Sequence, residues 1–400
     1  MNRTQFYNLI AGLVLAAFAV TGFAGDKMSD KIKNKSNSGG SNKVSVIVQY
    51  HTTPDQAENN RLNGLGATNK RGYGQLKMKA LKINANKLED LVNDPDVRFV
   101  TLDSPVESFT EAARQTANQP TSGKNSKYDG TGVTVALIDS GVAAHHNVAS
   151  GRNIEQFDFL NGSQPGPADN QPLSDPFGHG THVAGIIGAN KGGSDRDSYP
   201  FAPYVGMADD ADLISLRVLD DEGRGLVSDV IAALDFVLVH GASKGIRVVN
   251  MSIGKAVETE AANDPLVQAA EAVWDAGIVV VASAGNYGRD GHFTITSPGN
   301  ARKVITVGSI TDNETGTNLS DDFVSTYSSR GPSLHDHILK PDLLAPGNRI
   351  TTAIPDVAKL RTDLGDRMVI TCQGGGGDTA YCDDAIEISG TSMAAGMVSA

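Results

Sequence analysis

The sequence predicts an α/β fold: a doubly wound, largely parallel sheet with helices on both faces, preceded by a small α+β module. Three observations lead there. From about residue 130, short apolar runs recur at 133–138, 213–218, 248–251, 278–282 and 304–307, each bounded by turn residues, as strands buried on both faces should be. Stretches with helical spacing at 183–189, 229–239 and 265–276 alternate with them, and that succession builds a parallel sheet. Residues 43–108 read differently, as a few strands around one short helix.

Taken in order, the chain opens with Arg3 and an apolar run at 9–20, closed by Gly22-Phe23-Ala24. The run is too short to span a bilayer, so 1–24 reads as a secretory signal peptide. No later stretch is apolar enough to form a stable membrane span. Residues 25–42, rich in Lys, Ser, Asn and Gly, read as a flexible linker. In the small module, 44–50 alternates as a strand and 78–83 is a second. Residues 84–93 carry Leu88, Leu91 and Val92 at helical spacing, and 98–102 returns as a strand. Residues 109–128 lack apolar periodicity and read as a connecting segment. The large domain occupies 129–400.

Four hundred residues suffice for one large and one small domain. The net charge of −12 is unevenly spread: residues 1–110 carry 14 Lys and Arg against 10 Asp and Glu, and the remainder 20 against 36. A basic front segment and an acidic body attract each other, and an acidic body argues against nucleic acid as a partner. The two cysteines, Cys372 and Cys382, are close in sequence. In an exported chain they are candidates for a local disulfide, which steadies its loop by ~2–3 kcal/mol. Zinc lacks the Cys-x-x-Cys or nearby His that would complete a site.

Three motifs carry the chemistry: Val-Ala-Leu-Ile-Asp-Ser-Gly at 135–141, Gly-His-Gly-Thr-His-Val-Ala-Gly at 178–185 and Ser-Gly-Thr-Ser-Met-Ala at 389–394. They supply a carboxylate at the end of a buried strand, an imidazole at a helix start and a hydroxyl at another helix start. A serine hydroxyl is a poor nucleophile until a base takes its proton and a third group orients that base. Asp139, His179 and Ser392 are the candidates. Each has a plainer reading alone: Asp-Ser-Gly is a common turn, His179 and His182 could pair on a metal, and Ser392 could cap a helix. No third metal ligand follows, and no Glu lies between the histidines as in a zinc peptidase. A dinucleotide site is excluded because Gly130-Thr131-Gly132 precedes its strand. The glycine run at 374–377 lacks the Lys-Ser or Lys-Thr of a phosphate loop.

The chain resembles the subtilisin-like serine proteases, the subtilase family, at 135–142, 178–185, 248–254, 279–288, 328–332, 340–347 and 389–395. The resemblance implies a secreted or periplasmic serine endopeptidase acting through an acyl-enzyme. His179 is then the general base, Asp139 its orienting partner and Ser392 the nucleophile, with Asn286 donating to the oxyanion. His182 is structural. Ser252, Ile253 and Gly254 bind an extended peptide by strand addition. Gly223 and Gly225 form the opposite wall, with Thr296 in the first specificity pocket and Tyr287 shaping it. Residues 43–108 resemble, more loosely, an inhibitory propeptide, with Asp94-Pro95-Asp96-Val97 the clearest likeness. Its tail would lie in the cleft and be cut within 103–118, so the partners are a protein or peptide substrate and the chain's own propeptide. The chemistry needs no cofactor. Structural calcium accompanies such proteases, but the Asp- and Asn-rich region 158–175 has no specific ligand spacing.

The sequence departs from the family in three ways. Gly396 stands where Pro is usual, and Gly in a helix costs ~1 kcal/mol relative to Ala. The chain ends eight residues past Ser392, so the resemblance implies that the C-terminal part of the domain is missing, and a two-turn helix is marginal without packing. An insertion at 351–388 carries both cysteines. The alternatives are therefore a catalytically inactive, truncated binding protein held to its own front segment, and an acyl transferase that delivers to an amine.

Overall fold

The computed structural model describes residues 27–37, 42–108, 129–149, 152–189, 206–312, 320–373 and 381–400. The signal peptide expected at 1–24 and the connecting segment expected at 109–128 lie outside them.

The front module is a four-stranded antiparallel sheet of β1 (Lys43–Tyr50), β2 (Thr68–Tyr73), β3 (Met78–Asn84) and β4 (Val97–Leu102), in the order β2-β3-β1-β4. Successive side chains of a strand point to opposite faces, and the two faces have different destinations. Val46, Val48, Leu81, Ile83 and Val100 pack with Leu88 and Leu91 into the module's own core. Ile47, Tyr73, Met78 and Ala80 instead join the core of the large domain. Two features depart from the sequence reading. Asp30–Asn37, expected within a flexible linker, forms a helix whose Ile32 is buried against the module. Gln56–Gly64 is a further helix, capped by the Asp55 carboxylate accepting from the Glu58 N–H at 3.0 Å. The module then continues into β5 (Pro105–Ser108).

The large domain is built on an eight-stranded sheet. Its strands are β6 (Thr134–Asp139), β7 (Ile154–Asp158), β8 (Asp212–Arg217), β10 (Ile246–Met251), β12 (Val279–Ser283), β13 (Ile305–Thr311), β14 (Phe323–Val324) and β15 (Leu343–Pro346). The order is β14-β13-β12-β10-β6-β8-β7, with β15 also beside β13, and every pairing except β13–β14 is parallel. Strand β6 alternates between two cores. Val135 and Leu137 pack with Val183 and Ile187 of helix His179–Gly188. Ala136 and Ile138 pack with Val230 and Leu234 of helix Val227–His240 and Val267 of helix Pro265–Asp275. Burial on both faces is why these strands are continuous apolar runs. From β6 the chain crosses to the edge strand β7, returns through β8 and then passes to β10 and β12 on the other side, so the connections leave the adjacent β6 and β10 in opposite directions and their carboxyl ends form the switch point where such sheets bind ligands.

The remaining strands are β9 (Arg224–Leu226), β11 (Ile253–Gly254), β16 (Ile350–Ala353), β17 (Met368–Gln373) and β18 (Tyr381–Ile388). The insertion before Ser392 folds as the antiparallel sheet β16-β18-β17. Its Ile350, Ala353, Ile386 and Ile388 cover helix His179–Gly188. The final helix, Thr391–Ser399, is short but not left to its own propensity. Met393, Ala394 and Ala395 are buried in the cores. A Cβ on Gly396 would lie 3.4 Å from Val183 and Ile186, so this glycine sits where two helices meet. Packing supplies the stability that a two-turn helix lacks in isolation.

Candidate active site

Asp139 is the last residue of β6 and is fully buried. Its Oδ1 accepts from the Ser140 N–H at 2.8 Å and lies 2.7 Å from His179 Nδ1. His179 opens its helix, so the imidazole stands over the end of the strand. The approach is close: a Cβ on Gly180 would come within 2.0 Å of the Gly141 carbonyl, and only glycine permits it.

A buried carboxylate that sequence reasoning missed holds this junction together. Asp175 Oδ1 accepts from Ser140 Oγ and the Gly178 N–H, each at 2.8 Å, and its Oδ2 accepts from the Thr181 N–H and hydroxyl, each at 2.7 Å. Burial raises its pKa, and these donors offset only part of the rise. Asp175 thereby ties the turn after Asp139 to the helix that begins at His179. His182, one turn on, faces away from the site: its Nε2 lies 3.1 and 3.2 Å from the carbonyls of Ile350 and Ile386. Burial lowers its pKa to about 3, which keeps it neutral.

Ser392 is the second residue of its helix and is fully buried. Its hydroxyl donates to the Ser252 carbonyl at 2.9 Å, and Ser252 Oγ donates back to the Ser392 carbonyl at 2.9 Å. The hydroxyl is thus held on the neighbouring strand and not on His179, whose Nε2 is buried without a hydrogen-bond partner. Asn286 follows β12. Its Oδ1 accepts from the N–H and hydroxyl of Thr391, each at 3.0 Å, and the Gly285 N–H donates to that hydroxyl at 3.1 Å. These contacts orient the amide and leave Nδ2 buried and unpaired. Thr391 is a second residue that sequence reasoning missed; its place directly before Ser392 was the available signal.

The expected peptide-binding walls come together around a segment of the same chain. Strand β5 lies between β11 and β9, antiparallel to both. Ser108 is opposite Ile253, Glu107 opposite Gly254 and Arg224, and Val106 opposite Gly225. The Ser108 N–H donates to the Gly223 carbonyl at 3.3 Å. Thr296 is buried behind Gly285, hydrogen-bonded to the Ala284 carbonyl. The Tyr287 hydroxyl donates to the Glu107 carboxylate.

The calcium expectation is not met with a site. Among the described residues no group of three or more His, Cys, Asp and Glu side chains gathers to hold a metal. In 158–175, Asp158 pairs with Arg217, Asp169 accepts from the Gly166 N–H, Asn170 from the Gln156 N–H, and Asp175 acts as above, so these donors do not fit a calcium site. Cys372 and Cys382 stand directly opposite each other across β17 and β18; the disulfide expected between them falls on side chains that lie outside the described residues.

A family model described as the subtilase family matches residues 130–400. Serine protease AprX of Bacillus subtilis (strain 168) is 34% identical over 77% of this chain and 69% of its own length. An extracellular serine proteinase of Thermus sp. (strain Rt41A) is 32% identical over 68% of this chain and 58% of its own. Among solved structures, fervidolysin from Fervidobacterium pennivorans, described as a keratinolytic enzyme related to subtilisin, superposes with a TM-score of 0.65 at 21% identity. That match covers 90% of this chain and 54% of fervidolysin. The chain therefore spans little more than half the length of the last two.

Proposed function

The chain belongs to the subtilase family and is a serine-type endopeptidase, and from that premise we propose that it cuts peptide bonds through an acyl-enzyme on Ser392 and is made as a self-processing precursor. One observation carries the reading. The Asp139–His179 pair at 2.7 Å leaves His179 Nε2 unpartnered, and the Asn286 amide, held on Thr391 directly before Ser392, leaves Nδ2 unpartnered. Orphaned buried polar atoms are costly; a bound scissile carbonyl would accept from Asn286 Nδ2, and the Ser392 hydroxyl, turned from the Ser252 carbonyl, would donate to His179 Nε2.

In the proposed mechanism Ser392 Oγ leaves the Ser252 carbonyl and turns to His179 Nε2. His179 takes its proton as Oγ attacks the scissile carbonyl, and Asp139 stabilises the resulting imidazolium. The developing oxyanion accepts from Asn286 Nδ2 near the positive end of the Ser392 helix. His179 then gives its proton to the leaving amine, and water repeats the sequence to release the acid.

Residues 43–108 act in this reading as the inhibitory propeptide. The position of β5 between Gly223–Gly225 and Ser252–Gly254 supports it, since those walls grip a backbone by strand addition. Export to the cell exterior or periplasm rests on the character of residues 1–24 and on the Thermus relative's description as extracellular. The test is fluorophosphonate labelling of the purified 400-residue chain, with Ser392→Ala as control and intact mass recorded alongside. The expected result is labelling that disappears in the variant, together with loss of the front segment. An unlabelled, unprocessed chain would overturn the reading in favour of a non-catalytic binding protein.

A further inference from the structure

Tyr287 follows Asn286, and its position is fixed by the backbone. Its N–H donates to Ser329 Oγ at 3.1 Å, and the next N–H, of Gly288, donates to the Tyr327 carbonyl at 2.8 Å. The ring reaches across the cleft, and its hydroxyl donates to the carboxylate of Glu107 on β5. Burial and the adjacent carboxylate both push the phenol pKa up, so the hydroxyl keeps the proton that it donates to Glu107. A second group faces the same position. Arg224 stands directly opposite Glu107 across β5, and residues opposite one another in an antiparallel pair share a face. Gly254, opposite Glu107 on the other wall, contributes no side chain to that face.

The register locates this position relative to the bond cut. Ser108 is opposite Ile253, so a peptide continuing in the same antiparallel register brings its next residue opposite Ser252. The Ser252 carbonyl holds the Ser392 hydroxyl, so that next residue carries the carbonyl under attack. Glu107 stands two residues before it.

We propose that Tyr287, with Arg224 across the strand, is a specificity determinant that selects glutamate two residues before the residue whose carbonyl is attacked. The inference rests on reading β5 as the occupant of the substrate cleft. It adds a side-chain preference to a site whose walls otherwise read only backbone. A phenol donor aimed at a carboxylate discriminates against a side chain lacking the acceptor.

The test compares two peptides, Ser-Pro-Val-Glu-Ser-Phe-Thr-Glu, which copies residues 104–111, and the same peptide with Ala in place of its first Glu. Both are given to the full chain after its own processing and to Tyr287→Phe. The expected kcat/KM ratio favours the Glu peptide by about tenfold and collapses towards unity in Tyr287→Phe, whatever the absolute rates. Equal rates in the parent chain, or a preference that survives Tyr287→Phe, would overturn the inference while leaving the peptidase reading intact. Failure to cut either peptide counts against the peptidase reading alone, and a second measurement then decides the contact. On the full chain carrying Ser392→Ala, hydrogen exchange of the Val106, Glu107 and Ser108 amides should accelerate in Tyr287→Phe and in Glu107→Ala, and no further in the double variant. Exchange unchanged by Tyr287→Phe overturns the inference directly.

Discussion

Asn286 and Thr391 form one unit at the scale of single residues. Replacing Asn286 by Ala removes the proposed oxyanion donor and should lower kcat by ~10²–10³ with KM nearly constant, as measured on a fluorogenic peptide. Thr391→Val keeps the shape but deletes the hydroxyl that orients the amide. It should cost about tenfold in kcat, because the donor remains but is less well held. Equal effects on KM and kcat would mean that Thr391 serves binding and not orientation. Asp139, His179, Ser392 and Asn286 were legible because each sits in a motif dense with glycine and small residues, where close backbone approach is required. Asp175 was not legible, since a lone Asp before Pro in a polar loop gives no sign that it collects four donors. Thr296 was placed only coarsely for a similar reason, because pocket walls are set by loop geometry and not by periodicity.

Elements show the same division between periodicity and context. The strands at 134–139, 212–217, 246–251 and 279–283 and the helices at 227–240 and 265–275 followed from apolar runs and 3.6-residue spacing, with boundaries shifted by a residue or two, while β13 runs four residues further than its apolar run and β7 was missed. The helix at 56–64 was missed because only Leu62 is buried on it; its signature was the Asp55…Glu58 cap. Helix 30–37 was missed because a polar stretch was read as linker, whereas its buried Ile32 packs into the module's core and Lys31 pairs with Glu258. The most consequential contact between elements is equally silent in sequence. Arg71 of β2 is fully buried, 2.9 Å from Asp229 in the first turn of helix Val227–His240, and it donates to the carbonyls of Ser228 and Phe159. The Asp103 carboxylate accepts from the N–H and hydroxyl of Ser228 at the same helix start. Arg71→Ala strands the Asp229 carboxylate in the interior and should destabilise the intact Ser392→Ala chain by ~3–5 kcal/mol. Urea denaturation measures this, and an Arg71→Met, Asp229→Leu double variant should recover most of the loss.

Across the whole molecule, the front module and the body meet through complementary charge, as the uneven distribution along the sequence anticipated: Lys31 pairs with Glu258 at 2.6 Å, and Arg71 with Asp229. The same interface holds one acid that opposes the union. Burial raises the pKa of Asp235 from 3.8 to about 6, although it accepts a hydrogen bond from the Gln75 backbone. A carboxyl whose pKa is higher in the assembled state stabilises that state fully below its ordinary value and loses the contribution as pH rises through about 6. The affinity of a cut front module for the body should therefore fall between pH 4 and 7, and Asp235→Asn should flatten that dependence in a titration of inhibition against pH. The placement of β5 between β11 and β9 bears on timing. While the strand is still covalently joined to the body, its local concentration is set by the tether and not by the amount of protein present. The first cut should thus proceed with a half-time that dilution does not alter. Under the proposed propeptide role, departure of the cut module would obey mass action, and dilution alone would become the signal that turns the enzyme on.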